Sequence, residues 1–287
     1  MTGGPWAFHL HPAAWAVVVA LGALSVLAGR SAPRTRRQRW QLAVGLCTLA
    51  LALTWPVADL AAHWSLTALL VQRLVLTLVC APMLLLSVPR PVLGRLTRPG
   101  PIDAVIQFVT RPPVAVVTFS AIVVGTLVVP AVLAQADAPV LRATFDGLLL
   151  AAGVVLWMPV LGHVPGTRRT SPVAKAAYLI VQSVLPNFPS VVFIFARHPL
   201  YAAFAHAHQA IGLSPLGDQQ LAGVVAKVGT LPVLWTAAYR ALARAQRAEE
   251  RGTDEEPLYW TDVERELERT ARAERRLERH GPGTPTD

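Results

Sequence analysis

Acidic side chains are nearly missing from the first 240 residues. Only Asp59, Asp103, Asp137, Asp146 and Asp218 fall there, and the other 12 of the 17 lie after Arg240. Charge of any sign is scarce, at 15% of the 287 residues against 53% hydrophobic, with a mean hydropathy of +0.45. Water-soluble domains carry roughly 25% charged residues, so water is excluded as the main solvent of this stretch. Cysteine is nearly absent too: Cys47 and Cys80 both sit inside apolar runs, which excludes a disulfide framework. No basic segment precedes the first apolar run and no small-residue cleavage site follows it, so the first helix reads as retained. Nucleophile elbows, zinc-binding HisGluxxHis, phosphate loops and dinucleotide fingerprints are missing, and no nucleophile has a base at recognisable spacing.

What is present is a series of long apolar runs. A bilayer core of about 30 Å takes roughly 20 residues of helix. Seven segments qualify: 12–29, 41–62, 66–88, 113–135, 143–162, 173–196 and 219–240. The reading is an all-α polytopic bundle of about seven transmembrane helices. The net charge of +9 is written into the connections. Arg30, Arg34, Arg36, Arg37 and Arg39 follow the first run, Arg90, Arg95, Arg98 and Arg111 the third, and Arg168, Arg169 and Lys175 the fifth. The other side holds only Arg142 and Arg197. By the positive-inside rule the odd connections are cytoplasmic, which puts the N-terminus outside and the C-terminus inside. Nucleic acid is not the partner such a distribution serves. Residues 1–240 read as the membrane domain and 241–287 as a charged cytoplasmic tail. The tail is helical in part, with Glu268 and Arg272 at i,i+4 spacing, and ends in a Gly/Pro-rich stretch from 281 to 287 that reads as disordered. It suits a surface tail or a docking arm.

Charges inside spans are costly and need partners. Arg73, Asp146 and Lys227, with Asp59 at the end of the second span, all fall at matching depth in the outer third of the bilayer, so the four are expected to cluster. Such a cluster can be a register-fixing ion pair or a polar site. Six of eight histidines, His9, His11, His63, His198, His206 and His208, map to the same outer side, leaving His163 inside and His280 in the tail. Imidazole is the commonest ligand for copper and zinc, but pairs two apart do not share a helix face, and loop histidines without a metal are the plainer reading. Cys47 and Cys80 read as packing residues, and most tryptophans, Trp157 among them, as interface anchors.

Longer stretches resemble a known family. LeuSerProLeuGlyAspGlnGlnLeuAlaGly at 213–223 is similar to the AspGlnGlnLeuAlaGly signature of CtaG-type cytochrome c oxidase assembly factors. HisProLeuTyr at 198–201, GlyValValLeuTrpMetProValLeuGly at 153–162, ArgArgThrSerProValAlaLysAlaAlaTyrLeu at 168–179 and AlaProMetLeuLeuLeu at 81–86 extend the likeness through most of the membrane body. The resemblance implies a seven-helix membrane protein linked to the copper centres of haem-copper oxidases. It makes Gln72, Arg73, Asp146, Asp218, Gln219 and Gln220 the family-motif positions. The family pattern of a HisMetxGlnHis motif in the third helix is altered here. Gln72 remains, but Leu69 and Arg73 stand at the histidine positions, and Asp146 stands where the fifth helix carries another. A cation and an anion at matching depth suggest an Arg73–Asp146 ion pair in place of the metal.

The expected function is therefore an accessory to assembly or copper-centre formation of an oxidase, without chemistry of its own. An oxidase subunit or a copper-delivery protein would be its partner in the bacterial cytoplasmic membrane, with copper as a candidate cofactor at the outer histidines His63, His198, His206 and His208. The alternative from another class is a transporter or channel using the polar cluster, although the paired broken helices common in transporters are not visible.

Overall fold

A computed structural model describes residues 4, 6–167, 170–251 and 260–279. Arg168 and Arg169, His280 and the 281–287 stretch read as disordered lie outside the described residues. No strand occurs among the described residues; the chain is a helical bundle. In chain order the helices are α1 Pro12–Ser31, α2 Arg36–Leu53, α3 Val57–Trp64, α4 Leu66–Ser87, α5 Arg90–Leu96, α6 Gly100–Val109 and α7 Pro112–Gly125. They continue as α8 Val129–Asp137, α9 Pro139–Leu161, α10 Pro172–Phe195, α11 Ala207–Ile211, α12 Pro215–Glu250 and α13 Trp260–Arg279.

Local chemistry explains most starts and stops. Thr35 and Gln38 form a reciprocal capping box ahead of α2, Ser65 caps α4, Ser171 caps α10 and Ser214 caps α12. Proline occupies the first turn of α1, α7, α9, α10 and α12, where its missing N–H costs nothing. α9 stops at Gly162, whose φ of 55° is the left-handed C-cap that favours glycine.

Five helices, α1, α4, α9, α10 and α12, are long and apolar enough to cross a membrane. The count rises to seven if two bent pairs, α2 with α3 (47°) and α6 with α7 (83°), are each one span. The expected fourth span, 113–135, is not one helix: it breaks at Thr126, and α8 follows as a separate short helix carrying Pro130. α6 exposes Ile102, Val105 and Phe108 on one side and buries Asp103 and Ile106 on the other, the division of a helix lying along an interface.

The centre of the bundle is α4, packed against α12 at its start and against α2 and α9 further on. From Val75 to Cys80 it widens into a π-helical turn, and a second such turn, Leu60–Trp64, ends α3. Contact between α4 and α9 is close. A Cβ on Gly153 would lie 2.7 Å from the Ala81 Cβ and 2.9 Å from the Thr77 carbonyl oxygen, so only glycine fits. Trp157 is buried here, donating to the Thr77 carbonyl at 3.0 Å, and is a core residue rather than an interface anchor. Cys80 is buried while Cys47 faces outward, so only the first packs. α1 packs mainly on α2 and shows Trp15, Val19, Leu24 and Val26 to the surroundings, a surface suited to lipid.

α13 folds back onto the opposite end of the bundle from the N-terminus. Arg265 is buried there, donating to the Thr97 hydroxyl (3.0 Å), the Gly94 carbonyl (2.9 Å) and the Pro165 carbonyl. Arg269 grips both oxygens of Asp103, at 3.1 and 3.0 Å. Burial pushes the Asp103 carboxyl up, but the hydrogen bonds and charge of Arg269, with Gln107 and Arg265, hold it below the ordinary value of 3.8.

Candidate functional site

The AspGlnGln stretch opens α12 and ties three chain segments together. Asp218 is fully buried. Its carboxylate accepts the Ser65 hydroxyl (2.8 Å) and the backbone N–H groups of Leu66 (2.7 Å) and Thr67 (3.2 Å). It thereby caps the N-terminus of α4, whose unpaired N–H groups and positive dipole end favour an anion. Gln219 accepts from the Leu200 N–H at 2.7 Å, and Gln220 donates to the Ala196 carbonyl at 3.3 Å. The HisProLeuTyr loop is held from the other side by Tyr201, which donates to the Leu127 carbonyl at 2.6 Å.

That carbonyl belongs to the break between α7 and α8, and Arg73 serves the same break. It is 5% exposed and donates to the Thr126 hydroxyl (3.0 Å), the Thr126 carbonyl (3.0 Å) and the Gln135 side-chain oxygen (3.4 Å). Within a bilayer each freed backbone group needs a protein partner, and a cation also suits the negative end of a helix dipole. The expected Arg73–Asp146 ion pair is not formed: among the described residues no contact within 4 Å joins them. Arg73 is taken up as the C-terminal cap of α7. Asp146 is half-buried and interacts electrostatically with Arg142 first and Arg73 second.

Arg142, counted in the sequence only as a loop charge, reaches the Ala58 carbonyl and also feels Asp59. Asp59 in turn draws both N-terminal histidines, with His9 Nδ1 at 3.3 Å from one oxygen and His11 Nε2 at 3.1 Å from the other. The site is therefore a chain of polar groups at one end of the bundle: His9 and His11, Asp59, Arg142, Asp146, then Arg73 with Thr126 and Gln135. Both π-helical turns begin one or two residues past its members Asp59 and Arg73. Lys227 does not join it. It lies on the exposed arc of α12, because equal depth along two helices says nothing about which way each side chain faces.

A family model described as cytochrome c oxidase caa3 assembly factor (Caa3_CtaG) matches residues 14–248. The chain belongs to this family. No curated protein and no solved structure matches it. The caa3 assembly-factor match ends inside α12, two residues short of its last residue Glu250 and ahead of the docked helix α13.

The positions that the family likeness marks as metal ligands do not fit a copper ion here. Leu69 offers no donor atom, Arg73 brings a positive charge and Asp146 alone remains as a ligand. The other histidines do not replace them. His198, His206 and His208 are exposed, with the His206 ring 6.5 Å from that of Trp64. His63 lies in the turn that ends α3. Among the described residues no group of three or more His, Cys, Asp or Glu side chains is arranged to hold a metal ion.

Proposed function

We propose that this caa3 assembly-factor chain is a non-catalytic accessory in building a haem-copper oxidase, holding an oxidase subunit or a copper-delivery protein during assembly. The observation that carries the reading is the family match across the whole membrane body. In this reading the chain sits in the bacterial cytoplasmic membrane with the N-terminus outside and the tail inside, in keeping with twelve basic residues in the odd connections against two in the even ones. The polar chain from His9 to Gln135 then faces the compartment where an oxidase's copper centres are loaded. Its role is to shape and steady a docking face, since Leu69 and Arg73 at the family's ligand positions offer no metal donor.

The test is deletion in the native host followed by difference spectroscopy of the membranes and copper analysis of the purified oxidase. Loss of assembled oxidase, restored by the wild-type chain, is the expected outcome. Normal amounts of fully metallated oxidase in the deletion strain would refute the reading. Purified protein incubated with Cu(I) should retain no stoichiometric copper, alone or with His63, His198, His206 and His208 replaced by alanine.

A further inference from the structure

A partly open cavity of about 50 Å³ lies between α4, α7, α10 and α12. A single water needs roughly 10–15 Å³ of such space, so this one has room for several waters or one small ion. Its wall is mostly apolar, contributed by Leu70, Leu74, Phe119, Val123, Phe193 and Leu234, but Arg73 forms part of it. The guanidinium is not saturated by the bonds described above. Its Nε is buried and has no acceptor. Ser190 and Asn187 also line the space, at the point where Pro186 and Pro189 break the middle of α10. Ser190 is 3% exposed.

Charge makes the same point. Arg73 is surrounded by dipoles rather than by a carboxylate in contact, and its nearest fixed anion, Asp146, is shared with Arg142. A buried cation with a free donor, facing a mostly apolar cavity with Ser190 on its wall, is a receptor for negative charge. We propose that this cavity binds one small monovalent inorganic anion, of the size of chloride, held by Arg73 Nε and the Ser190 hydroxyl. A multivalent oxyanion would lose too much hydration for one cation to replace. The bound ion would neutralise the cap on α7 and so steady the break at Thr126. This site is separate from the proposed assembly role and stands or falls without it.

The experiment uses the full-length protein in phosphatidylcholine nanodiscs. Thermal unfolding followed by tryptophan fluorescence is recorded in rising chloride, with gluconate keeping ionic strength constant. The expected result is a saturable rise in Tm for the wild type, with apparent affinity roughly tenfold or more weaker in Arg73→Gln and tighter in Asp146→Asn, which removes the competing carboxylate. Should Arg73→Gln fail to fold, chloride-35 NMR of the wild type decides alone. Line broadening that saturates and is displaced by bromide supports the site, and broadening that only grows linearly with protein overturns it. A Tm indifferent to the exchange of chloride for gluconate overturns it as well.

Discussion

Asp218 is the side chain whose removal should be felt most. Its two oxygens satisfy one hydroxyl and two backbone N–H groups at the start of α4, and hydrogen bonds to a charged group are worth about 1.5–3 kcal/mol each. Asp218→Ala is expected to cost about 3 kcal/mol or more. Asp218→Asn should cost less, because one oxygen still accepts while the amide meets a donor. Guanidinium or SDS unfolding of the purified protein reads both. A sharper contrast concerns Arg73. Since it caps α7 and does not touch Asp146, exchanging the two charges in Arg73→Asp/Asp146→Arg should not rescue Arg73→Asp, and Asp146→Asn alone should accumulate in the membrane nearly as well as wild type. Membrane yield and monodispersity of the four variants check this, and rescue by the exchange would return the ion pair to favour. The motif marks residues of this site without showing what they touch. AspGlnGln was visible in the sequence as a signature, yet its work as a helix cap depends on Ser65, some 150 positions away. Depth along a helix put Arg73, Asp146, Asp59 and Lys227 at one level, but depth carries no direction around the helix axis, and Lys227 faces outward. Arg142 was passed over because its position counts as a loop end, while its long side chain turns back to Ala58.

At the scale of the helices, hydropathy was a good guide wherever a run is also one long helix. α1, α4, α9, α10 and α12 fall on five of the seven apolar runs. It failed at 113–135, since the average hydropathy is indifferent to whether the backbone hydrogen bonds continue. They stop at Thr126 because Arg73 and Tyr201 are there to donate to the freed carbonyls of Thr126 and Leu127, and those two residues come from other parts of the chain. Close packing was equally hidden. Gly153 and Gly147 look alike in sequence, six residues apart on α9, but a Cβ on Gly147 meets nothing within 4 Å. Gly153→Ala should therefore force α9 away from α4 at Thr77, costing about 1–3 kcal/mol, the usual range for overpacking. Gly147→Ala should be neutral, or stabilising by up to about 1 kcal/mol through helix propensity. Thermal melting of the pair in the same detergent tests it, and equal losses would mean that the α4–α9 contact is looser than the geometry implies.

For the molecule as a whole, the open question is whether the tail helix is part of the folded unit. The mixed charges of α13 read in sequence as a solvated face, and Glu268 with Arg272 does pair along the helix surface at 3.6 Å. Arg265 and Arg269 behave differently, entering the end of the bundle to meet Thr97, Gly94, Pro165 and Asp103. Periodicity could not separate these arginines from their exposed neighbours, because the acceptors that bury them are backbone carbonyls and one aspartate of α6. Docking should depend on the charge of Asp103, and the sign follows from the direction of its shift. The carboxyl lies below 3.8 in the folded chain, so the contribution of the contact is fully present above that value. It is lost only as the pH falls through the lower, folded value. The amide protection factors of α13 should stay high and flat from neutral pH down to about 5, then fall in more acidic buffer. Asp103→Asn should release the helix at neutral pH, and in a double-mutant cycle with Arg269→Ala the two changes should couple by about 1–3 kcal/mol. Independent, additive effects would show instead that α13 is held by Arg265 and its carbonyl acceptors, with the Asp103 contact contributing little.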